Sequence, residues 1–164
     1  MHIIHHVLSS ILPHVSAEAH CDIPCGVYDP TQAKMAAKTV ERMVLQLVEL
    51  KLPENMGEMQ VQNAYHNSVV RRILVKEQHA ELCKRELLIL WSDFFKAEHL
   101  EKFPHLHDLF WNAVKLCSKN KQEVSVDAVR ELVTGVDEIA EIFYRTKNAP
   151  EKYDAYKKIT DTLF

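Results

Sequence analysis

Glycine is scarce in this chain, with three residues in 164, which leaves little material for the Gly-rich loops that cradle phosphates. Long apolar runs are missing as well. None approaches the roughly 20 residues of a membrane-spanning helix, so no stable membrane association is expected. Charge of one sign is not in excess either: 20 Lys and Arg stand against 23 Asp and Glu, a formal net charge of −3. That balance gives no electrostatic footprint for nucleic acid, which is not an expected partner. Internal repeats and low-complexity tracts are absent. With 47% hydrophobic residues, the chain has enough apolar material to bury a single core.

Of the four cysteines, Cys83 and Cys117 each lack a nearby cysteine or a recognisable ligand spacing, and both read as buried or partly exposed helical thiols. The other two belong to His20-Cys21-Asp22-Ile23-Pro24-Cys25-Gly26-Val27-Tyr28, preceded by Ala17-Glu18-Ala19. A cut after Ala19 turns the peptide nitrogen of His20 into a primary amine beside its imidazole, while Cys21 and Cys25 offer thiolates. Together with the backbone nitrogen of Cys21, these atoms make a compact nitrogen and sulfur plane suited to a redox metal. Pro24 restricts the bend and Gly26 permits a turn that a side chain obstructs. Two other readings of the pair stand beside this one: a reducible disulfide, or half of a zinc site completed by histidines elsewhere. Neither needs a small-residue cleavage site immediately before His20. At the level of function the corresponding alternatives are a metal-binding regulatory bundle and a thiol-based redox protein.

The hook resembles the amino-terminal segment of the nickel superoxide dismutase family, which begins His-Cys-Asp-x-Pro-Cys-Gly-x-Tyr after processing. A second block, Lys76-Glu77-Gln78 through Ala80-Glu81-Leu82 and then Leu90-Trp91-Ser92-Asp93 with Phe95-Lys96, is similar to the same family, so the likeness runs from about Ala17 to Tyr144. The resemblance implies an oxidoreductase that converts superoxide to dioxygen and hydrogen peroxide, with one nickel ion per subunit cycling between Ni(2+) and Ni(3+). It implies His20, Cys21 and Cys25 as metal ligands, Tyr28 as guard of the open axial side, and Lys96 as the cation that attracts the superoxide anion. A maturation protease, a homohexamer and a cytoplasmic location are further expectations. Three positions depart from the better-known bacterial members: Ala36 replaces a glutamate, His79 an arginine, and Phe94 a tyrosine. Losing both charges together strands no buried partner, yet it removes the family's usual anchor for His20.

Residues 1–19 carry apolar side chains at mixed helical spacing, but His2, His5 and His6 stand where an export signal carries Lys or Arg. The segment reads as a propeptide removed inside the cell, with export as the alternative. Beyond the hook, the periodicity predicts an all-α chain. Asp29-Pro30 opens a first helix ending near Leu52, a second spans about Val61 to Phe95, a third starts near Pro104 and ends in a Ser118 to Glu123 turn, and Ser125 caps a fourth. Four amphipathic helices with short links argue for an antiparallel up-and-down four-helix bundle with an N-terminal metal-binding hook. The expected organisation is propeptide 1–19, nickel-binding hook 20–28, bundle 29–148 and C-terminal extension 149–164, the last forming a short added helix.

Overall fold

The computed structural model describes residues 27–164; the propeptide and the ligand candidates His20, Cys21 and Cys25 lie outside the described residues. Among those residues every regular element is helical: α1 (Thr31–Glu49), α2 (Met59–Ile89), a π-helical turn (Leu90–Phe94), α3 (Ala97–Lys102), α4 (Leu106–Gln122), α5 (Val126–Thr146) and α6 (Pro150–Thr160). The result is an all-α bundle of four long helices, α1, α2, α4 and α5, in which α1 packs on α2 and α5, and α4 packs on the same two. Residue pairs give the sense of one interface. Lys76 meets Glu123, Glu81 meets Lys121, Lys84 meets Ser118, and Trp91 meets Phe110, so α2 and α4 run in opposite directions.

The core follows from the periodicity. Ala33, Ala36 and Ala37 put small side chains on the buried face of α1, where all three are almost wholly excluded from solvent with Leu87, Leu132, Val136, Ile139 and Phe143. Val40, Val44, Ala80 and Val129 continue it as a second cluster. Burying each of the larger aliphatic side chains contributes about 1.5–3 kcal/mol before chain entropy is counted. Cys83 and Cys117 belong to the same interior.

Three local features differ from the sequence reading. The second helix does not run unbroken to Phe95: its α-helical part stops at Ile89, and the Phe95 N–H donates to Leu90 O at 3.0 Å, a five-residue span that marks a π turn. The wider turn changes the phase of the side chains, so Phe95 enters the core while Phe94 is only partly buried and meets Tyr28. Second, the short helix α3 fills the segment expected to link the second and third helices. Third, α4 continues through Ser118 to Gln122. The polar sequence there suggests a turn, but buried Lys76 donates its ammonium protons to the carbonyl oxygens of Asn120, Lys121 (2.9 Å) and Glu123 (3.1 Å). A cation against the last carbonyls caps a helix C-terminus and complements its dipole.

Ser125 does cap α5, its Oγ accepting from the Ala128 N–H at 3.2 Å. At the far end of α5, Asn148 takes a left-handed conformation with φ 53°. There the Ala149 N–H reaches Tyr144 O at 3.0 Å and the Asn148 N–H reaches Arg145 O at 3.1 Å, the two bonds of a Schellman stop. Pro150 then starts α6 at a position where its missing N–H costs nothing, and α6 folds back onto α5 and α1.

Candidate metal centre

Of the hook, Val27 and Tyr28 are described; Val27 is exposed, and Tyr28, the last hook residue, meets the bundle. Directly after it, Asp29 Oδ1 accepts from the Thr31 N–H at 2.8 Å, satisfying one of the open donors of α1. The other carboxylate oxygen accepts from the Tyr144 hydroxyl at 3.0 Å. Burial, and then the adjoining Asp29 carboxylate, push the Tyr144 phenol up to about 12, so it is a proton donor throughout the physiological range. Lys147 Nζ lies 3.5 Å from Tyr28 O, and the Tyr28 ring sits 5.7 Å from that of Phe94. The hook is thus joined to the bundle at a point held by two helices and the π turn.

Tyr28 and Lys96, far apart in sequence, line one cleft of about 330 Å³ with Asp93, Phe94, Glu98, His99, Thr146 and Lys147. The π turn delivers Phe94, and the break after it places Lys96 at the start of α3. Lys96 is exposed, and its backbone N–H donates to His99 Nδ1 at 3.1 Å. Burial holds His99 below its ordinary value, against the opposing pull of Glu98, so the imidazole is neutral near pH 7 with its proton on Nε2. Sequence reading missed Lys147. Its ammonium group lies 4.6 Å from the Phe143 ring centre and 5.5 Å from that of Phe94, but only the folding of α5 against the π turn brings it here, and no local motif marks it. Asp93 and Glu98 balance the two ammonium charges formally, so attraction of an anion depends on where the cations sit within the cleft, not on its net charge.

The departures from the resembled pattern are accommodated separately. Ala36 is a buried wall residue of α1. His79, half-buried on α2, has Nδ1 3.0 Å from Val75 O one turn earlier, a local bond in which the ring nitrogen donates. Neither residue lines the cleft. Phe94 carries no hydroxyl but packs against Phe143 at 4.5 Å and stacks with His99 at 5.8 Å. Cys83 and Cys117 are neighbours in the core; the hydrogen bond from one thiol to the other, and burial after it, push the Cys83 thiol well up. A thiol so placed is a poor nucleophile and a poor ligand.

Among the described residues no group of three or more His, Cys, Asp or Glu is arranged to hold a metal. The side chains of His20, Cys21 and Cys25, one imidazole and two thiols, are of the kind that suits a redox metal such as nickel. Residues 15–147 match the family model for nickel-containing superoxide dismutase. The chain belongs to that family. It is 38% identical over 137 residues to the superoxide dismutase [Ni] of Streptomyces seoulensis, covering 84% of this chain and 95% of the relative. Its counterpart from Streptomyces coelicolor is 36% identical over the same shares. Among solved structures, a nickel-containing superoxide dismutase with its nickel ligation after partial X-ray-induced reduction superposes with a TM-score of 0.65 at 36% identity, over 79% of this chain and all of the other. Membership makes the protein a nickel-dependent superoxide dismutase, an oxidoreductase. Residues 148–164, and with them α6, lie beyond the matched span.

Proposed function

We propose that this dismutase converts superoxide to dioxygen and hydrogen peroxide at a nickel ion held, after cleavage before His20, by the His20 amine and imidazole, the Cys21 backbone nitrogen, and the thiolates of Cys21 and Cys25. The observation that carries this reading is the meeting of Tyr28 and Lys96 in one cleft. Cys25 precedes Tyr28 by three residues, so covalent geometry alone keeps its Cα within about 11 Å of that of Tyr28. On this reading the metal faces the cleft that Tyr28 and Lys96 line.

Nickel, when bound, supplies a couple between two oxidation states, taking an electron from one superoxide and giving one to the next, so that two superoxide ions and two protons yield one dioxygen and one hydrogen peroxide. The chain's residues do the rest. His20, Cys21 and Cys25 hold the ion. Tyr28 guards the approach and orders water there, and Phe94 closes one wall without adding a second phenol. Lys96, aided by Lys147, draws the anion inward and has its greatest effect on encounter rate at low ionic strength.

The organisation that goes with this reading is a propeptide over 1–19, a hook over 20–28, an up-and-down bundle over 29–148 and an extension over 149–164, acting in the cytoplasm after a maturation protease has cut. A homohexamer is supported by the apolar groove of Leu88, Trp91, Phe110, Trp111 and Val114, in which Trp111 is 57% exposed. An apolar groove with the exposed indole of Trp111 beside it suits a contact surface between subunits.

Metal analysis coupled to intact-mass measurement on active native protein tests the assignment. Nickel with a chain starting at His20 is expected. Full activity in a nickel-loaded chain that retains Ala19, or wild-type turnover in purified Cys21→Ser or Cys25→Ser, overturns it. Light scattering that finds a fully active monomer across a dilution series removes the hexamer.

A further inference from the structure

We propose that α6, which lies outside the matched family span, braces the root of the nickel hook at Tyr28, acting through Tyr144 and Asp29. The proposal rests on the hook assignment above. Its structural basis lies wholly within the described residues.

The helix is anchored through two sets of contacts, one at Asp137 and one at Tyr144. In the first, Asp137 of α5 accepts from the Tyr156 hydroxyl at 3.2 Å and from Lys157 at 3.0 Å, while the same carboxylate pairs at 2.5 Å with Lys34 of α1, which is 1% exposed. In the second, the Tyr153 and Tyr156 rings stack on each other at 5.8 Å and approach the Tyr144 ring at 6.5 and 6.0 Å. Packing of this kind limits the positions open to Tyr144. Its hydroxyl in turn holds Asp29 Oδ2, and Asp29 adjoins Tyr28. A short metal-binding segment loses conformational freedom when it closes on its ion, and fixing its root in advance reduces that loss. The direction of the effect follows: a loose root releases nickel faster even when the bundle stays folded.

Tyr144 is on this view a positioning residue, and the test reads nickel retention besides activity. Processed, nickel-loaded full chain is mixed with excess chelator, and nickel release is followed alongside the thermal midpoint and the EPR signal of the oxidised metal. Tyr144→Phe, which keeps the ring and removes only the hydroxyl, should release nickel roughly three- to tenfold faster, the size expected for the net loss of one hydrogen bond. Tyr153→Ala, which removes one packing ring, should act in the same direction. Lys76→Met, outside this chain of contacts at the close of α4, should lower the thermal midpoint and leave nickel release at the wild-type rate. Wild-type release from Tyr144→Phe or from Tyr153→Ala overturns the brace, as does equal acceleration by Lys76→Met, which would make the effect one of general stability. A processed wild-type chain that holds no nickel overturns the hook assignment and the brace with it.

Discussion

The two ends of the bundle use lysine in opposite ways. At one end, Lys76 is 2% exposed and its ammonium group faces three backbone carbonyls at the close of α4. At the other, about 25 Å along the helix direction, Lys96 and Lys147 are exposed at the mouth of the cleft that holds Tyr28. Burial lowers the proton affinity of Lys76, with Glu77 opposing, yet its charge is retained because carbonyl oxygens replace the water it lost. A cation enclosed in this way has no field to offer a substrate. Those at the cleft are exposed, and their field can act on an approaching anion.

The sharpest way to break this contrast is at Lys76. Lys76→Met keeps much of the volume but leaves the end of α4 without its donors, and should lower unfolding free energy by about 2–4 kcal/mol. Urea denaturation measures it, and the nickel-normalised rate of the folded fraction should not change. Lys96→Glu should do the reverse, reducing the second-order rate roughly three- to tenfold at low salt, with little loss of nickel or stability. Added salt should narrow that gap; equal rates at low salt would remove Lys96 from steering. Lys147→Gln should give a smaller rate loss, because this lysine also lies near the Tyr28 carbonyl and over two rings, and part of its effect should appear as faster nickel release.

The smallest expected effect is in the alkaline limb of stability. The Tyr144 phenol is raised from 10.0 to about 12 in the folded chain, so the neutral form is favoured by folding. Its contribution is complete below pH 10 and is lost as pH rises from there to about 12. Tyr144→Phe should flatten that part of a denaturation series, and an unchanged slope would show that Asp29 and burial do not act on the phenol.

Much of this architecture is legible from side-chain spacing, and the exceptions have identifiable causes. The faces of α1 and α5 follow the apolar period, and Ser125 marks the start of α5. Ser118 to Glu123 reads as a turn because its residues are polar; it is helical through Gln122 because Lys76, remote in sequence, supplies what the carbonyls need. Leu90 to Phe94 has ordinary helix formers and nothing that announces a wider turn, since that turn satisfies the packing of Phe95 inside and Phe94 at the cleft. The hook carries donor side chains that can be named residue by residue, and His20, Cys21 and Cys25 lie outside the described residues. The cleft beside Tyr28 cannot be read that way: Lys147, His99 and the Tyr144–Asp29 bond depend on which helices become neighbours, and spacing along the chain carries no record of that.

Asn148 gives the chain a seam. The family match ends at residue 147, and the next residue carries the left-handed dihedral that stops α5 and turns the backbone around. Both bonds of that stop close on α5 itself, so the helix is finished whatever follows Ala149. A segment attached at such a point takes its heading from a single backbone rotation, and α6 then meets the bundle through the side chains of Tyr153, Tyr156 and Lys157. The stop lets a further helix be added without unwinding the one before it.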